Sequence, residues 1–258
     1  MMIRWLAILM LFTGLLARAD ISADKLTAAG VAEFTAAYKD WDGQRFGAAA
    51  ELFRQATTNA PASCANYYWL GAAEFHRMLQ LQSMPSWTTN TAAADAAMDA
   101  ALEALQAAVK LDERHAESHA LLGTLYGMKI NGNLLRAARF GPRVMKHQNK
   151  AMEFGALNPR VRYLLGASQF HTARKRAAQQ EALATLLTAE KLFGVEARRA
   201  GGPLEPRWGR SSCLTFIGRT YELLGQRAEA ASYFRKALIE HPADHLAKAG
   251  LARVAEKN

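Results

Sequence analysis

The 34 residues from Ser211 to Asp244, SSCLTFIGRTYELLGQRAEAASYFRKALIEHPAD, constrain the fold of this chain more than any other stretch. Ile217-Gly218, Tyr221, Gly225, Ala230, Phe234, Ala237 and Pro242 fall at spacings that describe two helices joined by a short turn. Small residues at Gly218, Ala230 and Ala237 let the two helices approach closely, and Tyr221 and Phe234 fill the space left between them. Gly225 accepts the backbone angles that end a helix, and Pro242 stops the second one. One helix pair cannot bury its apolar face alone, so this unit predicts a stack of similar pairs.

The rest of the chain supplies them. A first helix from Leu26 to Tyr38 precedes a second from Phe46 to Ala60, in which Ala49, Phe53, Ala56 and Pro61 repeat the spacing of Ala230, Phe234, Ala237 and Pro242. Leu70-Gly71, Leu122-Gly123 and Leu165-Gly166 stand where Ile217-Gly218 stands, followed by partner helices with Ala101-Leu105-Ala108 and Ala182-Leu186-Ala189. Three segments interrupt the pattern: Gln82–Thr91, Asn131–Arg143 and the linker around Arg198–Arg210. The second of these contains Gly132, Gly141 and Pro142 and reads as an insertion ahead of a helix from Val144 to Leu157. Half the residues are hydrophobic and only 7 are Pro, which favours helix throughout.

The order L-G-x2-Y, then A-x3-F, then P resembles the tetratricopeptide (TPR) repeat. The succession of Leu-Leu-Gly helices, a Gly-Pro insertion, the Asn-Pro-Arg helix end at Asn158-Pro159-Arg160 and a late Trp-Gly is similar to exported bacterial TPR proteins of unassigned role. The resemblance implies an all-α, right-handed TPR-like solenoid of about five helix pairs with a C-terminal capping helix. The repeats fall at about 30–63, 64–115, 116–159, 160–198 and 211–244, with the cap at 245–258, all in one domain from residue 20. It also implies an interaction scaffold with a protein or peptide partner, and no reaction.

The chain opens MMIRWLAILMLFTGLLARAD, with Arg4 ahead of an apolar run from Trp5 to Leu16 and then Ala17-Arg18-Ala19. This reads as a signal peptide over residues 1–19, cleaved after Ala19, and so predicts a periplasmic or secreted protein with no transmembrane segment after cleavage. Cys64 and Cys213 lie several repeats apart and are expected as buried free thiols. No cofactor is called for. His115 and His119 sit four apart, but a metal needs a third ligand, and no Gly-rich phosphate loop, G-x-S-x-G elbow or HExxH occurs.

In a TPR stack the first helix of each pair lines a groove. Taking the repeat Gly as reference, and Ala37 in its place in the first unit, residues three before and four after it are Phe34 and Trp41, Tyr68 and Phe75, Tyr163 and Phe170. An aromatic groove suits an apolar peptide or amphipathic helix; the other reading is that the rings fill space between repeats. Residues 68–76, YWLGAAEFH, recur at 163–171 as YLLGASQFH, which adds His76 and His171. Tyr38 and Arg219 occupy the position after the reference residue, where some TPR proteins clamp a terminal carboxylate. The full clamp is absent, and Arg219 alone is placed to meet an acidic group. A pocket closed by the insertions around Trp87, His76 and His171 is the alternative, a periplasmic small-molecule binding protein.

Charge is uneven. Lys129–Arg210 holds 16 Lys plus Arg and 5 Asp plus Glu. Arg136, Arg139, Arg143 and Lys146 form one candidate anion-binding patch, and Arg174, Lys175 and Arg176 another. Export argues against nucleic acid as the natural target and points to an anionic envelope component, whether lipid head groups or acidic polymers, or to an acidic protein face; the other reading is a plain solvated surface.

Overall fold

The computed structural model describes residues 23–84 and 91–255. The expected signal peptide with its cleavage site, and Trp87, lie outside them. Among the described residues all regular structure is helical: α1 (23–40), α2 (Gly43–Asn59), α3 (Cys64–Ser83), α4 (Thr91–Leu111), α5 (Ala116–Ile130), α6 (Leu134–Gly155), α7 (Pro159–Thr172), α8 (Arg176–Ala197), α9 (Arg210–Leu223), α10 (Arg227–Glu240) and α11 (His245–Ala255). None of these is long and apolar enough to cross a membrane. The chain divides into two compact units, one of the residues up to Ala37 with Asp42–Asp112, the other of Tyr38–Trp41 with the residues from Glu113 on.

In the first unit the repeat pattern works as close packing. A Cβ at Gly30 would stand 2.6 Å from the Phe53 ring, and one at Gly71 would stand 2.5 Å from Leu105 Cγ. The large side chain of each A-x3-F helix therefore seats directly on the glycine of the helix before it. This corrects the register of the first repeat: Gly30, not Ala37, is the counterpart of Gly71 and Gly218, and Phe34 takes the place of Phe75. Phe34 is 2% exposed and meets Phe46 and Trp69 edge-on, with centroids at 5.6 and 5.2 Å.

The second unit repeats the device. Cβ atoms at Gly166 and Gly218 would stand 2.7 Å from Leu186 and 2.8 Å from Phe234. Gly225, at φ +77°, makes the tight turn from α9 to α10. In the α5–α6 pair the seating residue is Gln148, whose Nε2 donates to Ser168 Oγ at 2.9 Å. An ion network not legible in the sequence joins three helices. Arg160 donates to Glu117 Oε1 at 2.7 Å and to Glu196 Oε1 at 2.6 Å, with all three side chains at or below 10% exposure. Asn158 donates to the same Glu117 oxygen at 2.7 Å while its own Oδ1 caps α7.

The insertion expected at Asn131–Arg143 is mostly helix. Asn131 and Gly132 take left-handed angles, Asn133 Oδ1 accepts from Arg136 N at 3.0 Å, and α6 then runs unbroken through Pro142. Leu134 to Arg139 are good helix formers, and the exposed Pro142 forfeits one backbone bond whose carbonyl solvent can satisfy. Cys213 is buried as expected, whereas Cys64 is half-buried, its Sγ donating to the Ala108 carbonyl at 3.4 Å. Burial raises both thiol pKa values, that of Cys64 to about 11.

Candidate binding site

The residues expected to share one groove fall into three settings. Tyr68, Phe75 and His76 are buried in the first unit with Phe34. His76 stands edge-on to Phe34 at 5.2 Å and stacks on Phe46 at 5.6 Å, and its Nδ1 donates to the Ala72 carbonyl at 2.8 Å. Burial depresses its pKa to about 4. These rings fill the space between helices and offer a partner no surface.

Tyr38 and Trp41 belong to the second unit. The Tyr38 hydroxyl accepts from Gly209 N at 3.2 Å and lies 2.8 Å from Ser212 Oγ, at the start of α9. Its ring and that of Trp41 pack against His241, each with centroids at 6.1 Å. Burial raises the Tyr38 pKa. Tyr38 thus ties its segment to the last repeat.

The third setting is the face of α7 and α9. Phe170 lies near the end of α7, and Phe216 and Arg219 sit one turn apart on α9. The two rings meet edge-on at 5.3 Å, and the Arg219 guanidinium lies over both, 4.7 Å from the Phe170 centroid and 5.2 Å from that of Phe216. Tyr163 packs beside Phe216 at 6.0 Å, and His171, exposed at the rim, meets Phe216 edge-on at 5.6 Å. Arg219 has no hydrogen bond or ion pair with the other described residues. Glu222, one turn further along α9, is engaged by Arg253 at 2.8 and 2.9 Å. Burial first, then the neighbouring Arg253, lowers the Arg219 pKa; partial burial and Arg219 lower that of His171. Phe216 was missed in the sequence; its spacing of three from Arg219 was the signal that could have found it.

The two basic patches are separate. Arg136, Arg139, Arg143 and Lys146 are exposed on α6, and Arg174, Lys175 and Arg176 are exposed where α7 passes to α8. Three linker arginines are engaged within the chain, Arg199 with Glu205, Arg210 with Glu240 at 2.7 Å and Arg207 with the Glu196 carbonyl at 2.8 Å. His115 and His119 each have partners of their own. His115 Nδ1 caps α5, whereas His119 donates from Nε2 to the Glu113 carbonyl at 2.9 Å and accepts at Nδ1 from His147 Nδ1 at 2.8 Å. The described residues include no group of three metal-ligating side chains. A recess lined by Ala120, Thr124, Gln148 and Leu164 measures about 10 Å³, room for about one water.

Residues 211–238 match the family model of the tetratricopeptide repeat. The fold is that of TPR proteins. The crystal structure of a thermophilic TPR protein of Thermus thermophilus superimposes with a TM-score of 0.63 at 16% identity, covering 91% of this chain and 99% of that one. The Cut9–Hcn1 hetero-tetramer of the APC/C gives a TM-score of 0.59 at 15% identity, covering 94% of this chain and 41% of that one. At such identities the likeness is one of fold alone. Comparison with curated proteins returns no match.

Proposed function

We propose that the chain is a non-enzymatic binding scaffold that holds an acidic peptide or protein segment against the α7–α9 face of its second unit. Arg219 carries this reading. A half-buried guanidinium lying over two rings, without a carboxylate, has lost hydration and gained only cation–π contact. An incoming carboxylate restores the missing hydrogen bonds in a partly dry setting, where charge-assisted pairs are strongest. Phe170, Phe216 and Tyr163 then offer apolar contact to the side chains next to that acid.

Fluorescence polarisation with short apolar peptides tests this, comparing a free C-terminal carboxylate with its amide. The acid is expected to bind and the amide to bind at least about tenfold more weakly, as a lost charged hydrogen bond implies. Arg219→Ala should erase the difference. Equal affinity for acid and amide would sink the reading.

An exported location belongs to the same proposal and is supported by Arg4, the apolar run to Leu16 and Ala17-Arg18-Ala19. N-terminal sequencing of the protein from its native cell is expected to begin at Asp20. A chain starting at Met1 would exclude cleavage.

A further inference from the structure

α6 is 22 residues long, its partner α5 is 15, and of the 22 only Ala151 is buried. The excess lies at its N-terminal end, where Leu134 and Leu135 are 86% and 83% exposed and Met145, three turns on, is 65% exposed. At 3.6 residues per turn, Val144, Gln148 and Ala151 lie on the face that packs. Leu134, Ala138 and Met145 line one edge of the outer surface. Arg136, Arg139, Arg143, Lys146 and Lys150, spaced three, four, three and four, line another.

None of the cations from Arg136 to Lys146 has a carboxylate partner among the described residues. Arg143 lies over the Tyr126 ring at 5.4 Å and Arg139 over Phe140 at 5.3 Å, which holds both along the helix. Three linker arginines of the same unit, Arg199, Arg207 and Arg210, find carboxylates or carbonyls within the chain. The bare cations of α6 therefore call for anions from outside, and the exposed leucines call for an apolar phase beside those anions. An acidic peptide answers the first demand only. A bilayer of anionic phospholipid answers both, because phosphates and acyl chains lie within a few ångströms of each other at its surface.

We propose that the N-terminal half of α6 is an interfacial helix that lies on an anionic phospholipid bilayer. Leu134, Leu135 and Met145 enter the acyl boundary, and Arg136, Arg139, Arg143 and Lys146 meet the lipid phosphates. The contact leaves the α7–α9 face to its own ligand, so either assignment can fail without the other.

A local reporter tests it in the full chain. The indole introduced by Leu134→Trp is read, as a difference from the unsubstituted chain, against vesicles of brominated phosphatidylcholine with and without phosphatidylglycerol. Quenching is expected only with phosphatidylglycerol. Adding Arg136→Glu, Arg139→Glu and Arg143→Glu should weaken vesicle association at that reporter by more than about tenfold, since each basic residue contributes to the attraction. The melting temperature should hold, because these side chains are exposed. Equal quenching on phosphatidylcholine alone, or none on either, overturns the proposal. So does equal loss on Arg174→Glu with Arg176→Glu, which would take the effect away from α6. Capture of the chain by soluble polyaspartate with the indole unquenched on vesicles would assign the stripe to an acidic macromolecule instead.

Discussion

α3 and α7 carry nearly the same nine residues, YWLGAAEFH and YLLGASQFH, and their ends meet opposite fates. In both, the glycine receives a large side chain of the following helix, Leu105 in one case and Leu186 in the other. Beyond that shared seat the neighbours decide. Phe34 and Phe46 close over His76 and leave it 3% exposed, whereas His171 stays in solvent beside Phe216 and Arg219. The same Phe-His pair is core in one unit and the rim of a candidate site in the other. A repeat code sets which residues meet inside a pair; it leaves open what covers the pair from outside.

The largest effect expected from this contrast is on stability. Phe34→Ala opens a cavity among Phe46, Trp69 and His76 and should cost about 3–5 kcal/mol. Phe216→Ala, on a partly exposed ring, should cost about 1 kcal/mol or less. Urea unfolding with hydrogen exchange read separately in α3 and α7 checks both, and equal costs would break the comparison.

Acid should expose the same difference. The folded His76 has its pKa depressed to about 4, below the ordinary 6.5, so as pH falls from 6.5 towards 4 the unfolded chain takes up a proton that the folded chain refuses. The His76 contribution is intact above pH 6.5 and is lost on acidification, up to roughly 3 kcal/mol. His171 is lowered in the same direction but is exposed, so its share is small. A melting-temperature series across this range should become shallower on His76→Leu, with His147, also held near 4, keeping part of the slope, and hardly change on His171→Leu.

Arg219→Ala should alter stability by less than about 1 kcal/mol, the scale of a cation–π contact, while removing discrimination between acid and amide peptides. A large loss of stability in a thermal melt would make the residue structural. The smallest effect belongs to α6: Leu134→Ser with Leu135→Ser should leave the folded state within about 0.5 kcal/mol, since neither side chain is covered.

Much of this molecule follows from spacing alone. The helix pairs, their order, the short Gly225 turn and the seating of Phe234 on Gly218 all follow from contacts local in sequence. The first repeat shows where spacing misleads. Ala37 is small enough to pass for the reference residue, and only the Phe53 ring above Gly30 shows which of the two is seated. Reading Asn131–Arg143 as an insertion gave Pro142 too much weight, because a proline in an exposed turn forfeits one bond and the Asn133 cap offsets the loss.

The candidate site was legible only in fragments. Phe170, His171 and Arg219 were visible as separate positions on two helices, Phe170 and Arg219 being 49 residues apart, but nothing local states that Arg219 lies over Phe170. Nor does sequence state that Glu222 turns to Arg253, or that Arg160 finds both Glu117 and Glu196. By itself the sequence determined the helices and the faces they present to their partners, because those depend on a period of 3.6 residues and on side-chain size. Which aromatic rings were covered, which cations found carboxylates and which were left bare was decided only by tertiary packing, because burial and ion pairing depend on residues far apart in the chain.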